Sequence, residues 1–292
     1  MLRNSLLFLF IFSLSSICLS QVKYEYVGGV KLNDSIIISY KVNFIEKEGK
    51  VKGYSITDLG GEHETQSNIF GEYDKENKIL NFRETGIVYT KSPISQDDFC
   101  FLNATVKNFT FGKTKNFKSN FVGLFSDNTQ CINGEIMLNA IEKVEARVNK
   151  LVTKINKSKK IADSIKQKVN LIKVMDSLNM NILKKNQTLS VFTNANKIDL
   201  IIYDGGKEDG DKITISVNGK ILVKEYQANN NKKVITLNLV DDKTSIVINA
   251  TNEGTIAPNT IVVELDDNNN HIKALSSLKK GETTGVDILK RK

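Results

Sequence analysis

The stretch IIYDGGKEDGDKITISVNGK, residues 201–220, places a glycine-rich acidic loop between two apolar segments. These segments are short and bounded by turn residues, which is typical of β-strands. Asn218 and Gly219 separate ITISV from KILVKEY, and this dipeptide predicts a two-residue hairpin because a type I′ turn needs positive φ at both central positions. The stretch therefore predicts antiparallel β-structure for the C-terminal part of the chain.

The loop contains three aspartates, Asp204, Asp209 and Asp211, which suggest a calcium site. Their spacing does not match an EF-hand loop. A non-standard calcium site that adds Asp266 and Asp267 from another loop stays open. The simpler interpretation is a turn, in which Asp-Gly supplies the loop conformation and aspartate side chains cap backbone N–H groups. No cofactor is therefore predicted, and calcium is kept as a candidate.

Seven to eight short strands are predicted from residue 189 to the end, which favours a β-sandwich over residues 188–292. The motifs YDGGKEDGDKITISVNGK, NATNEGTIAPNT and KALSSL resemble a small β-sandwich module found at the C-terminus of many exported proteins of Bacteroidota. The usual module has an asparagine where Gly205 or Gly206 stands here. The resemblance implies export and a non-catalytic accessory module, and it implies no known ligand.

The chain begins with MLRNSLLFLFIFSLSSICLSQVK, in which Arg3 precedes an apolar run and small residues follow. This layout is typical of a secretory signal peptide over residues 1–20, cleaved after Ser20. A lipoprotein would instead be modified at Cys18, but Ile17 stands where a small residue is expected. The apolar run is shorter than the about 20 residues that span a bilayer. We therefore expect an exported protein (periplasmic, on the outer surface or secreted) that is not a transmembrane protein.

Residues 21–138 predict an antiparallel β-meander, either an open sheet or a small barrel, because apolar runs alternate with short turns such as DKEN. Cys100 and Cys131 remain after cleavage of the leader. An exported protein meets oxidising conditions, so the pair predicts one disulfide. Two buried free thiols are the alternative.

Residues 139–187 contain no glycine or proline. From Ile141 to Ile172, mainly apolar residues recur at alternating spacings of three and four, as in a heptad repeat. The segment predicts a long amphipathic, coiled-coil-like helix that either packs on a sheet or mediates self-association, and the positions for self-association are Ile141, Val144, Val148, Leu151 and Ile155. The predicted fold is thus mainly β with a long helical connector, which joins an N-terminal antiparallel β-meander or barrel-like domain to a C-terminal β-sandwich.

The formal net charge of +8 is carried by the same connector, since residues 139–187 hold twelve Lys or Arg and four Asp or Glu. The rest of the chain is neutral. This distribution does not fit a uniformly basic nucleic-acid-binding protein, so no nucleic acid is expected as a partner.

Motifs for catalysis are few. HETQS at His63 begins like a zinc-protease motif, but Ser67 occupies the position of the second ligand. Carboxylates for glycoside hydrolysis would come from the N-terminal domain, and Tyr54, Tyr73 and Tyr89 are its candidates for sugar stacking. The candidate carboxylates are Glu62, Glu64, Glu72 and Glu84.

The function that we expect is an exported, non-enzymatic binding or structural protein of the cell envelope or exterior, with a glycan or an envelope protein as partner. One alternative is a secreted carbohydrate-active hydrolase with its site on the N-terminal β-domain. The other is an assembly protein that associates through the heptad positions. No catalytic residue is predicted.

Overall fold

The structure is a computed structural model that describes residues 22–32, 36–93, 95–158, 160, 181–205 and 207–291. Within these residues, the α-helix α1 spans Ile141–Lys157 and a 3-10 turn spans Gln96–Asp98. The strands are β1 (Lys23–Lys31), β2 (Ile37–Lys47), β3 (Lys50–Thr57), β4 (Thr65–Asp74), β5 (Ile79–Thr90), β6 (Phe101–Val106), β7 (Asn116–Leu124), β8 (Gln130–Ala140), β9 (Asn181–Leu183), β10 (Thr188–Thr193), β11 (Lys197–Asp204), β12 (Lys212–Val217), β13 (Lys220–Gln227), β14 (Lys233–Asn238), β15 (Lys243–Ala250), β16 (Asn259–Asp266), β17 (His271–Leu278) and β18 (Thr283–Lys290).

Strands β1 to β8 form a closed antiparallel barrel, in which each strand pairs with the next and β8 pairs back with β1. Alternate side chains of each strand point inwards, because successive residues of a strand face opposite sides of the sheet. Phe44, Leu80, Phe82 and Leu138 belong to the core that fills the interior. The predicted N-terminal antiparallel β-domain is confirmed. Of the two predicted forms, an open sheet or a small barrel, the structure has the barrel.

A disulfide joins Cys100, just before β6, to Cys131 on β8, with the two Cα atoms 6.0 Å apart. Strand β7 lies between β6 and β8 in the sheet. The bridge crosses β7 at Gly123, where an added Cβ would lie 2.4 Å from the Cys100 sulfur. Glycine is therefore required at this position by the close approach of the disulfide.

The C-terminal strands form two five-stranded layers. Strands β13, β12, β15, β18 and β10 lie in that order in the sheet that continues into the barrel, and β14, β11, β16, β17 and β9 form a separate sheet. Side chains from both layers share one hydrophobic core, including Leu200, Ile213, Ile248 and Val286. At the predicted hairpin, Asn218 has φ 48° and Gly219 has φ 78°, as a type I′ turn requires.

The barrel and the C-terminal sheets are joined by β-pairing as well as by the chain. Strand β5 pairs with β10 at its C-terminal end, and Val88 and Tyr89 of β5 pack in the C-terminal core. The Arg291 guanidinium donates a hydrogen bond to the Ile87 carbonyl over 2.9 Å. The Lys91 ammonium donates another to the Ile182 carbonyl over 3.0 Å. Strand β5 thus belongs to both cores.

The long helical connector predicted over residues 139–187 is not confirmed. Helix α1 ends at Lys157, since Ser158 has the extended angles φ −73° and ψ 125°. The end of the predicted range is wrong, because Asn181–Leu183 forms β9 and pairs in parallel with β17. The absence of glycine and proline, which extended the predicted range to residue 187, does not reveal that Asn181–Leu183 pairs with residues 274–276 of β17. Residues 161–180 and the predicted signal peptide lie outside the described residues.

Within the part of the chain that the structure describes, no helix combines the length and the apolar character needed to cross a lipid bilayer.

Candidate functional site

One end of the barrel carries a cavity of about 690 Å³ whose walls combine aromatic and charged side chains. We call this cavity and its lining the barrel mouth. The lining comes from the start of β1, from the end of β4, and from the β2–β3, β4–β5 and β6–β7 connections, which an up-and-down barrel gathers at one end. The residues are Tyr24, Glu46, Glu48, Gly49, Tyr73, Lys75, Lys78, Thr110 and Phe111.

Three half-buried aromatic rings form the apolar wall of the barrel mouth. The Phe111 ring lies with its centroid 4.7 Å from that of Tyr24 and 5.0 Å from that of Tyr73. Beneath them Phe109 is fully buried, 4.9 Å from Phe111, and its carbonyl accepts a hydrogen bond from the Tyr73 hydroxyl. The rings are thus held by packing from below and present part of their surface to the cavity.

Charged side chains form the polar rim of the barrel mouth. The Glu46 carboxylate accepts a hydrogen bond from the Gly49 N–H over 2.9 Å, which fixes it at the tight turn between β2 and β3. Glu48, Lys75 and Lys78 are exposed at the turns around the cavity. The rim therefore offers both carboxylate acceptors and ammonium donors beside an aromatic wall.

The tyrosines proposed for sugar stacking lie in three different places. Tyr73 lines the barrel mouth. Tyr89 is buried at the junction between the barrel and the C-terminal sheets, where its hydroxyl donates to Glu64 over 2.9 Å. Tyr54 lies half-buried on β3, outside the cavity. Tyr24 and Phe111 were missed, because one opens a strand and the other lies in a loop, so no sequence pattern links them.

The four candidate carboxylates do not form one catalytic pair in the described structure. Glu62 and Glu72 are exposed, and Glu72 bonds to the Lys50 ammonium over 2.6 Å. Glu64 is buried and accepts from Tyr89 and from the Gly60 N–H. Glu84 points into the barrel, on the opposite face of the sheet from Glu72, by the alternation of buried and exposed residues.

Glu84 accepts three hydrogen bonds inside the barrel. The hydroxyls of Tyr40 and Ser55 donate to one carboxylate oxygen over 3.0 and 2.5 Å, and the Leu102 N–H donates to the other over 2.8 Å. Burial raises the pKa of the Glu84 carboxyl, while these hydrogen bonds act in the opposite direction. A buried carboxylate with three of its about four acceptor sites occupied by the protein's own donors has a structural role.

A second polar cluster lies where the loop after β11 meets the loop before β16. The Asp209 carboxylate accepts from the Ile256 N–H over 2.9 Å, and the Asp211 carboxylate accepts from the Thr260 N–H over 2.7 Å. Asp204 and Asp211 are almost completely buried. Burial, together with the charges of Asp209, Asp204 and Glu253, raises the pKa of Asp211 to about 6.

Asp266 and Asp267 do not join this cluster. They lie at the opposite end of the same sheet, since β16 pairs Asp266 with Asp199 and Ile261 with Asp204. Five residues of strand separate the two positions, which corresponds to about 17 Å. Asp267 instead accepts a hydrogen bond from the Thr193 hydroxyl. Among the described residues, no group of three or more His, Cys, Asp or Glu side chains is placed to hold a metal ion.

A larger cleft of about 1180 Å³ lies where the barrel meets the C-terminal sheets. Its charged lining is largely engaged within the protein: Lys243 bonds to Asp287 over 2.8 Å, and Arg291 is bonded to the Ile87 carbonyl. The barrel mouth, in contrast, has exposed charges beside aromatic rings, and it is the better candidate for a ligand site.

No family model, curated protein or solved structure matches the chain. The functional argument therefore depends on the geometry of the described residues.

Proposed function

We propose that the protein is an exported, non-enzymatic binding protein of the cell envelope and that its barrel mouth binds a glycan. The observation that carries the proposal is the trio of Tyr24, Tyr73 and Phe111 around the cavity, with exposed lysines and glutamates at its rim. Barrel mouths are frequent ligand sites, and ligand sites usually combine an apolar wall with a few polar groups.

The chemistry of the rim fits a sugar. An aromatic face packs against the apolar C–H face of a pyranose ring, which leaves the hydroxyl groups at the edge. Carboxylates accept hydrogen bonds from such hydroxyls, and ammonium groups donate to their oxygens or to an acidic substituent. Glu48, Lys75 and Lys78 supply both types of group at the rim.

Two further parts of the proposal concern location and architecture. The leader predicted over residues 1–20 and the disulfide between Cys100 and Cys131 support export, because disulfides persist in oxidising compartments. Two five-stranded layers with a common core support a C-terminal β-sandwich that acts as a non-catalytic accessory module. Glu64 and Glu84 are buried and hydrogen-bonded to the protein's own donors, which favours binding over hydrolysis.

The test is a glycan array with the chain from residue 21 onwards, followed by calorimetry on the best glycan. We expect Phe111→Ala to weaken binding about tenfold, the loss of one stacking contact of about 1.4 kcal/mol. Phe70→Ala is the matched control, because Phe70 is an exposed aromatic on the outer wall, 38% accessible. Equal affinities of wild type and Phe111→Ala would contradict the site. Release of reducing ends from the bound glycan would favour the hydrolase.

Helix α1 favours a second candidate function, assembly through the heptad positions. Throughout its described length α1 buries no side chain, and Leu151 is 58% exposed. An apolar stripe on a helix is stabilised when another surface covers it. The proposed partner is α1 of a second copy, contacted through Ile141, Val144, Val148, Leu151 and Ile155.

For this assembly we expect a concentration-dependent dimer in sedimentation velocity at micromolar concentrations. Leu151→Lys should raise the dissociation constant of the dimer at least tenfold, because the substitution places a charge in the apolar stripe. Lys150→Glu, an exposed neighbour, should leave the dimer unchanged. A wild-type chain that remains monomeric at high concentration would exclude assembly.

A further inference from the structure

The cluster between the β11–β12 loop and the β15–β16 loop contains oxygen atoms that have no hydrogen-bond partner among the described residues. These are one oxygen each of Asp209, Asp211, Asn259 and Thr251, all shielded from solvent. Asp211 is 1% exposed and Asn259 is fully buried. Buried polar atoms are almost always paired with protein, water or an ion. Several unpaired oxygens in one cluster therefore indicate that water or an ion belongs there.

Backbone contacts bring these residues together. The Thr260 N–H donates to Asp211 over 2.7 Å, which places that carboxylate next to Asn259 in the chain. The Lys212 carbonyl, which directly follows Asp211, accepts from the Asn259 side chain over 3.1 Å and from the Thr251 N–H over 2.9 Å. Asn259 and Thr251 thus both donate hydrogen bonds to the Lys212 carbonyl, one residue after Asp211 in the chain.

The orientation of the Asn259 amide is fixed by its own hydrogen bonds. Its nitrogen donates to the carbonyls of Lys212 and Asn252, over 3.1 and 3.0 Å. Both partners are acceptors, so the nitrogen must face them and the oxygen must face the other way. A neutral, buried amide oxygen without a donor is an observation independent of the acidic residues.

The carboxylates are held in the same manner. One oxygen of Asp209 accepts from the Ile256 N–H, and the Asp209 carbonyl accepts from the Thr255 N–H over 2.9 Å. One oxygen of Asp211 accepts from Thr260. Each carboxylate thus uses one oxygen to fix its position and keeps the other unpaired. Asp204 and Glu253 add negative charge nearby.

Calcium fits this set of atoms. It binds six to eight oxygen ligands from carboxylates, amide carbonyls and waters with flexible geometry. Zinc prefers nitrogen and sulfur, and neither histidine nor cysteine contributes to this cluster in the described chain. Magnesium demands nearly ideal octahedral geometry and retains its waters.

We propose that the protein binds Ca²⁺ between the β11–β12 and β15–β16 loops, with Asp209, Asp211, Asn259 and Thr251 as ligands. The carboxylates do not make a metal site by themselves, and the amide and hydroxyl oxygens complete it. Bound calcium would join the two loops and neutralise the charge that burial concentrates there.

The experiment uses the chain from residue 21 onwards, treated with a chelator and then dialysed. Calcium is titrated by calorimetry, and thermal unfolding is compared with and without 1 mM CaCl₂ or MgCl₂. For wild type we expect one binding event and a midpoint raised by at least several degrees with calcium, since a ligand of the folded state alone stabilises it. A smaller shift is expected with magnesium.

Asp211→Asn is the informative variant, because an asparagine oxygen can still accept from Thr260 while the charge is lost. We expect it to bind calcium at least tenfold more weakly. Asp209→Asn serves as the second variant if Asp211→Asn does not fold. Asp266→Asn, at the opposite end of the sheet, should bind like wild type.

Wild type without heat of binding and without a calcium shift would overturn the proposal and assign the unpaired oxygens to buried water. An equal response to magnesium would overturn the assignment to calcium. Unchanged calcium affinity in both Asp variants would place any calcium elsewhere in the chain.

Discussion

Replacement of Glu84 by alanine is expected to lower the free energy of unfolding of the barrel by about 4 kcal/mol. The side chain accepts hydrogen bonds from Tyr40, Ser55 and the Leu102 N–H, and all of these partners lie in the interior. Alanine would leave three buried donors without an acceptor and would also create a void. Urea unfolding of the whole chain, followed by circular dichroism, measures the change.

The matched control for this prediction is Glu72→Ala, which removes an exposed carboxylate from the neighbouring strand. Glu72 bonds to Lys50 at the surface, and exposed pairs of this kind contribute little to stability because solvent screens them. The free energy of unfolding of Glu84→Gln should lie between those of wild type and Glu84→Ala. The glutamine oxygen can still accept hydrogen bonds from the two hydroxyls, but its NH₂ group is a donor that faces another donor, the Leu102 N–H. If Glu84→Ala and Glu72→Ala lowered stability equally, the interior network would not have the role assigned to it.

Raised pKa values also predict the direction of a pH effect. Because burial raises the pKa of Glu84 in the folded state, folding favours the protonated carboxyl. The contribution of this group to stability is full below its unfolded pKa and is lost as the pH rises through the folded pKa. Glu84→Gln should therefore show a smaller loss of stability than wild type as the pH rises through this range.

Phe109→Ala, like Glu84→Ala, is expected to lower the free energy of unfolding by about 4 kcal/mol, and it should also abolish ligand binding at the barrel mouth. Phe109 is fully buried, with ring contacts to Tyr26, Tyr73, Phe111 and Phe117. Its removal leaves a cavity beneath the rings that form the wall of the mouth. Unfolding by urea and glycan calorimetry, both on the whole chain, separate the loss of stability from the loss of binding.

Phe109→Leu provides the graded comparison, because leucine fills part of the volume and keeps the site apolar. We expect it to lose about half as much stability as Phe109→Ala and to retain weakened binding. Phe70→Ala, on the outer wall, should change neither quantity. A Phe109→Ala protein that binds glycan with wild-type affinity would show that the aromatic wall does not depend on its support.

Sequence patterns predicted the local parts of this fold and not its closure. Alternating apolar residues indicated the strands, and Asn218-Gly219 fixed a hairpin, because both signals lie within a few neighbouring residues. The barrel is closed by β1 and β8, which pair Tyr26 with Ala140 across most of the domain. No turn connects these strands, so the sequence leaves an open sheet and a barrel equally acceptable.

The two candidate sites show the same limit. Asp204, Asp209 and Asp211 are recognisable as a cluster because they are close in sequence. Asn259 and Thr251 are distant in sequence and are brought beside Asp211 only by the tertiary structure. Tyr24 and Phe111 likewise meet only because the ends of an up-and-down barrel gather distant loops. The absence of glycine and proline up to residue 187 was the misleading signal at the end of the predicted connector, since Asn181–Leu183 forms strand β9 instead.

The ladder from β18 through β10 to β5 has a mechanical consequence. The last described strand, β18, pairs in parallel with β10, and β10 pairs with the barrel strand β5. If the C-terminus were tethered, tension would load the β18–β10 pairing lengthwise, so the hydrogen bonds along its six residue pairs would have to break together rather than one after another. Pulling on the C-terminal strand would then be resisted by the sheet itself, and the force would pass through β10 to the barrel.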